Sequence, residues 1–128
     1  KLYNDTHGHP AGDQVLITLA RLLENELRTS DFVARYGGEE FAVILVETNP
    51  EQGREVADKI RVAIGEHQFK LPSSEATPVR VTVSVGLAGY PRDAREASAM
   101  VSMADQALYL AKEAGRNLVV SCSKDGQA

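Results

Sequence analysis

The chain has 128 residues, 43% of them hydrophobic and 25% charged, which is enough for one folded domain with a core of its own. A net charge of −4 argues against a nucleic-acid surface, so any phosphate chemistry must rest on a few local cations. The single cysteine, Cys122, excludes an intrachain disulfide and fits a reducing cytoplasm, and no apolar stretch has the length of a membrane span or the layout of a signal peptide.

Val15, Leu16, Leu19, Leu22, Leu23 and Leu27 recur at helical spacing and predict an amphipathic helix from Gly12 to about Arg28. Phe32 to Tyr36 reads as a short strand. Phe41 to Val46 is a continuous apolar run that suits a strand buried on both faces. Val56, Ile60, Ala63 and Ile64 mark a second helix, with Pro50 near its start, where proline is tolerated. Lys70 to Pro78 lacks an apolar period and reads as a loop. Val79, Val81, Val83, Val85 and Leu87 then alternate with Arg80, Thr82, Ser84 and Gly86, the pattern of one half-buried strand. Met100, Val101, Ala104, Leu108 and Ala111 define a third helix, and Gly115 is its stop. Asn117 to Cys122 is a last apolar strand, with Cys122 as a small buried hydrophobe.

The order α-β-β-α-β-α-β shows no repeat or linker, which predicts one domain over residues 1–122 with a polar tail at 123–128. A leading strand would turn it into βαββαβ. The expectation is therefore an α+β fold with a ferredoxin-like sheet, helices packed on it, and the first strand missing from this chain.

The segment between the first two strands, Gly37-Gly38-Glu39-Glu40, is the most informative. Paired glycines supply the positive φ of tight hairpins, let a ligand come close to the backbone and leave amides open to an anion. Adjacent carboxylates can hold Mg²⁺, which takes one or two of them together with substrate phosphates. Taken alone, the turn is equally well a plain hairpin with solvated glutamates. His7 and His9 lack a third ligand at suitable spacing and read as parts of a shaped loop. Tyr36 and Phe41 read as packing residues beside the turn.

Read together, the motifs say more. Lys1-Leu2-Tyr3-Asn4-Asp5-Thr6-His7-Gly8-His9-Pro10-Ala11-Gly12-Asp13 resembles the opening of the GGDEF family of diguanylate cyclases, and Gly37 to Phe41 resembles its signature in the GGEEF form. Arg28-Thr29-Ser30-Asp31 resembles the family's RxxD product-inhibition site, and Lys112 to Asn117 its closing helix and turn. The resemblance implies condensation of two GTP into cyclic di-GMP and pyrophosphate, in the cytoplasm of a bacterium, with Mg²⁺ or Mn²⁺. It implies that Asn4 and Asp13 bind guanine, that Gly37 and Gly38 lie against the phosphates, and that Lys112, Arg116 and Lys1 hold phosphates. The i, i+4 spacing of Lys112 and Arg116 would send both to one side of a helix. Glu39 matches the metal-binding carboxylate. Glu40 matches its neighbour, a second ligand or the base for the 3′-hydroxyl. Arg28 and Asp31 match the inhibitory site, with Lys59 near the place of an additional basic residue that is best filled by arginine.

In the family each domain binds one GTP, so the resemblance implies a homodimer for catalysis and an upstream regulatory domain. It also implies a metal-binding aspartate on a strand before Lys1, which this sequence does not contain; the fragment is expected to be impaired for that reason. The plain alternatives are local. Asp13 could complement a helix N-terminus, Lys112 and Arg116 a helix C-terminus, and Arg28–Asp31 could be an exposed helix-end pair. Two other functions compete: a non-enzymatic receptor for GTP or cyclic di-GMP, and a palm-type enzyme acting on one nucleotide. The intact glycines and glutamates favour catalysis over the first, and the RxxD argues against the second. The lack of a GxxxxGK[ST] stretch argues against a P-loop enzyme.

Overall fold

The computed structural model describes residues 9–71 and 74–122. Its elements are α1 (His9–Glu26), β1 (Phe32–Arg35), β2 (Phe41–Ile44), α2 (Pro50–Glu66), β3 (Phe69–Leu71), β4 (Ser74–Val79), β5 (Val85–Leu87), α3 (Ala97–Glu113) and β6 (Val119–Ser121). They fall into two compact units. One takes in the chain to Val46 and Glu66–Val81; the other takes in Glu47–Gly65 and the chain from Thr82 onward.

In the first unit, α1 buries Val15, Leu19 and Leu23, successive i, i+4 positions on one face. The helix begins at His9, earlier than the apolar period suggests, so His9 is helical rather than part of a loop. Phe69 of β3, only 1% exposed, is the main aromatic anchor here, and the His67 ring meets it edge-on at 4.7 Å. β1 and β2 form an antiparallel pair with Phe32 opposite Ile44 and Arg35 opposite Phe41.

Two expectations fail in this unit. The run from Phe41 is not buried on both faces. β2 ends at Ile44 and alternates, and Ile44 and Phe32 are 61% and 62% exposed. Among the described residues β1 and β2 pair only with each other, and the face that carries Phe32 and Ile44, opposite one another in register, is exposed. The segment Lys70–Pro78 is not simply a loop, because β3 and β4 pair through Phe69–Val79 and Leu71–Ser74 with an irregular register between. Backbone pairing organises it without side-chain periodicity, and a two-stranded ribbon tolerates Pro78 because each strand keeps an unpaired edge.

In the second unit, α2 starts at a reciprocal cap. The Gln52 amide donates to Asn49 Oδ1 at 2.7 Å, the Asn49 amide donates to Gln52 Oε1 at 3.2 Å, and Pro50 takes the first helical position. Gly53, Ala57, Ile60 and Ile64 are buried along one face. β5 and β6 pair in parallel, Val85 with Val119 and Leu87 with Ser121, and the Cys122 amide donates to the Leu87 carbonyl at 2.9 Å. Cys122 thus lies just past β6 and is half-buried. Burial, then the neighbouring Asp93 carboxylate, pushes its thiol up to about 11.

The single strand expected over Val79–Leu87 is split. Exposure still alternates from Val79 to Val83, but the chain leaves β3 after Val79 and regains a ladder only at Val85, where its partner is β6. Gly86 is the other surprise. Alternation assigns it to solvent, yet a Cβ there would stand 2.1 Å from the Ala104 carbonyl oxygen and 2.4 Å from the Leu108 amide nitrogen. α3 therefore lies backbone-to-backbone on β5, with the small Ala107 and Ala111 wholly buried. Val101, one of the apolar positions that mark this helix, is 41% exposed.

Gly86→Ala is expected to destabilise the protein by about 3 kcal/mol or more, because the clash is with helix backbone rather than a flexible side chain. Gly65→Ala, near the end of α2 with nothing within 4 Å of the added carbon, should stabilise by about 0.5–1 kcal/mol. Urea unfolding followed by circular dichroism measures both.

Candidate active site

The loop between β1 and β2 spans Tyr36 to Glu40 and is exposed throughout. The Glu40 carbonyl closes it, accepting from the Tyr36 amide at 2.7 Å and the Gly37 amide at 3.2 Å. From the end of β1, Arg35 donates through Nε (3.2 Å) and Nη2 (2.5 Å) to the Gly38 carbonyl. A guanidinium fork thus pins the middle of the loop to the strand that precedes it. Composition and spacing gave no sign of this part for Arg35.

The glycines play a different role from the one expected. Neither Gly37 nor Gly38 has the positive φ that was expected of the turn. The Gly37 amide is spent inside the loop, so it is not open to an anion. What stands out is space: nothing lies within 4 Å of a Cβ at Gly38, and at Gly37 the nearest atom is Glu40 Cβ at 3.9 Å. Glu39 and Glu40 follow, both exposed. Tyr36 is 58% exposed and does not pack as expected, whereas Phe41 is half-buried.

Among the described residues no group of three or more His, Cys, Asp and Glu gathers as a closed metal site. Two neighbouring carboxylates on an open loop nevertheless fit Mg²⁺, which takes one or two carboxylates and completes its shell with water and substrate phosphate. They fit Mn²⁺ on the same hard-oxygen grounds.

Arg28 and Asp31 meet in the turn after α1. The helix ends at Glu26, so this is not a helix-end pair. Asp31 Oδ2 accepts from the Arg28 amide at 3.0 Å and from Nε at 3.3 Å, while Oδ1 accepts from Nη2 at 3.1 Å and from the Val46 amide at 3.1 Å. Arg28 Nη2 also donates to the Val46 carbonyl. The Asp31 side chain is 3% exposed and that of Arg28 is 56% exposed. The carboxylate is the covered organiser and the guanidinium is the presented group. Arg28, then the Val46 amide, hold the Asp31 carboxyl down at about 2, from an ordinary 3.8.

The remaining expected residues lie apart in the chain. Asp13 is exposed and one turn inside α1, so it is not the first-turn carboxylate of the plain alternative. Lys59 is exposed on α2, in the second unit. Lys112 is half-buried in the last turn of α3. Arg116 is exposed beyond that helix with φ +67°, so the helical i, i+4 relation to Lys112 does not hold. Lys1, Asn4 and His7 lie outside the described residues. No helix among the described residues is long and apolar enough to cross a membrane.

Comparison with known proteins agrees with the motifs. Residues 1–118 match the family described as diguanylate cyclase, GGDEF domain. Diguanylate cyclase A of Treponema denticola is 40% identical over 119 residues, covering 93% of this chain and 31% of that protein. The GGDEF domain of YfiN (TpbB) from Pseudomonas aeruginosa superposes with a TM-score of 0.87 at 35% identity, covering 97% of this chain and 71% of that one. The GGDEF domain of DgcB from Caulobacter crescentus, solved in complex with c-di-GMP, gives 0.84 at 35% identity over 94% of this chain and 70% of that one. The fold is thus the α+β, palm-type architecture of these domains. The chain spans less than a third of the length of the curated relative it matches.

The low pKa of Asp31 has a signed consequence. In the unfolded chain the carboxyl takes up a proton near pH 4, while the folded one stays ionised to about 2. Its contribution to stability is therefore complete above pH 4 and is lost between about pH 4 and pH 2. Denaturant titrations across that range should show the loss, and Asp31→Asn should remove that part of the pH dependence.

Proposed function

Because the chain belongs to the GGDEF-domain family of diguanylate cyclases, we propose that it is the catalytic domain of such an enzyme and condenses two GTP into cyclic di-GMP and pyrophosphate. The observation that carries the reading is the loop at Tyr36–Glu40. It is pinned by Arg35, open above Gly38, and places two exposed carboxylates next to that opening.

In this reading the 3′-oxygen of each GTP attacks the α-phosphorus of the other, so that two P–O bonds form and two pyrophosphates leave; each attack runs in the same way. The new P–O bond forms as the bond to pyrophosphate breaks, and the hydroxyl proton passes to a base, for which Glu40 is the candidate. Glu39, joined by Glu40 if that carboxylate serves as a ligand instead of the base, would hold Mg²⁺ or Mn²⁺, which when bound lowers the pKa of the attacking hydroxyl and offsets phosphate charge. The open face over Gly38 lets phosphate oxygens approach the backbone without a side chain between. Lys112 and Arg116, with Lys1, neutralise the phosphates, and Asn4 and Asp13 read the guanine edge through amide and carboxylate hydrogen bonds. The protein contributes positioning and fixed charge, with no covalent intermediate. One GTP per domain then requires two copies facing each other, and an upstream regulatory domain would bring them together.

Arg28 and Asp31 carry the proposed product-inhibition site, for which the family resemblance also nominates Lys59. Asp31 and the Val46 carbonyl take the Nε–Nη2 side of the Arg28 guanidinium and fix its plane, and the exposed cation so held suits a phosphate or guanine edge. The same preformed group also favours, as a second reading, a domain that binds cyclic di-GMP without making it.

In the full-length protein with GTP and Mg²⁺, Glu39→Gln should lower pyrophosphate release and cyclic di-GMP formation by about 10³-fold or more. A parent protein that binds cyclic di-GMP through Arg28 yet forms none from GTP would establish the receptor reading instead. Arg28→Ala should weaken product inhibition at least about tenfold while initial rates at low product stay within about twofold. Unchanged inhibition would remove Arg28 from the regulatory site.

A further inference from the structure

The turn that follows α3 is held in an unfavourable conformation by groups with no evident role in the reaction. Three successive residues, Gly115, Arg116 and Asn117, have φ of +120°, +67° and +53°. Glycine adopts this region freely and asparagine readily, but arginine does not. Such a backbone persists only where the surroundings over-determine it.

Here they do. The Arg116 amide donates to the Ala111 carbonyl at 2.9 Å, which folds the turn back on the end of the helix. The Asn117 amide donates to Ser84 Oγ at 3.2 Å, and the Val85 amide donates to the Leu118 carbonyl at 2.9 Å, which fix the far end to β5. From α2, Arg61 Nη1 donates to Asn117 Oδ1 at 3.1 Å, while its Nε donates to Asp58 Oδ1 at 2.9 Å. The Arg61 side chain is 23% exposed against 56% for Asp58, so Asp58 orients a largely covered guanidinium whose other arm reaches the turn. All these groups belong to the second unit.

We propose that Arg61 and Asn117 are positioning residues: their hydrogen bond locks the left-handed turn and thereby presents Arg116, with Lys112 just before it, to the terminal phosphates of the nucleotide. The inference rests on the phosphate-binding reading of Lys112 and Arg116. Neither Arg61 nor the Asn117 side chain needs to touch the nucleotide; both act on the backbone that carries Arg116. Losing the bond releases Arg116 toward ordinary φ, and its guanidinium then samples positions away from the phosphates. A fault confined to this turn shows only with ligands that possess terminal phosphates.

The test is the binding of GTP and GMP, each with Mg²⁺, to the full chain by calorimetry, with urea unfolding as a control on the fold. Arg61→Ala should weaken GTP about tenfold and leave GMP within about twofold. Asn117→Gly keeps the freedom to adopt positive φ and removes only the side-chain acceptor, so it should behave like Arg61→Ala. Asn117→Asp keeps an acceptor for Arg61 and should bind GTP within about threefold of the parent, and the double variant Arg61→Ala/Asn117→Gly should be no worse than either single one. The brace is overturned if either single variant binds GTP like the parent, or if GTP and GMP weaken together. Lys112→Ala and Arg116→Ala separate the two levels. If they weaken GTP selectively while Arg61→Ala does not, only the brace is wrong. If they do not, the phosphate reading fails and the brace falls with it.

Discussion

The backbone contact between Gly86 and α3 governs the second unit. A side-chain carbon at Gly86 would stand 2.1 Å from a helix carbonyl, so helix and strand meet at a distance only glycine permits. Burial of Ala107 and Ala111, which are small enough to follow the strand so closely, belongs to the same contact. A helix seated this way has little freedom to slide or roll, because any other register would bring larger side chains over β5. The last turn of α3, with Lys112 and the left-handed residues beyond it, inherits that fixed seat. The basic end of the domain is therefore placed by a contact that contains no charge.

The first unit solves its placement problem by polar means. Its ribbon of β1 and β2 leaves Phe32 and Ile44 exposed and gives the intervening loop little apolar support. The loop relies on the Glu40 carbonyl at its neck and the Arg35 fork at its tip. The turn after α1 uses the same device, with Asp31 gathering donors from Arg28 and Val46. A charge-assisted hydrogen bond to a backbone carbonyl or amide holds its partner in direction as well as distance, which apolar packing on an exposed turn cannot do. In a chain whose net charge is −4, arginines used in this way also set local positive charge against a negative background.

How much of this could be read in advance follows from the range of each interaction. The buried face of α1 was legible because Val15, Leu19 and Leu23 repeat with the helix itself, and the start of α2 because Pro50 marks it. The spaced motifs located the loop, the RxxD turn and the closing turn. Alternation misplaces Gly86 because it speaks of side chains, and the contact is between backbones. Lys70–Pro78 reads as a loop in the sequence because a ribbon paired through its backbone needs no apolar period. The bond from Arg61 to Asn117 joins residues 56 apart in sequence, a relation that no local pattern encodes. Arg35 lay in plain view inside the signature, yet a bond to a carbonyl three residues away leaves no compositional trace.

The absence of positive φ at Gly37 and Gly38 changes what the signature encodes. If the turn needed left-handed glycines, fold and chemistry would be lost together when either was replaced. Here the backbone at Gly38 suits any L-residue, and an added carbon meets only open space. The path of the chain therefore does not require a glycine at Gly38, and what the residue leaves there is open space. On the proposed reading, shape and activity would be separable at this position, since a side chain there would fill the ligand's space and leave the fold intact.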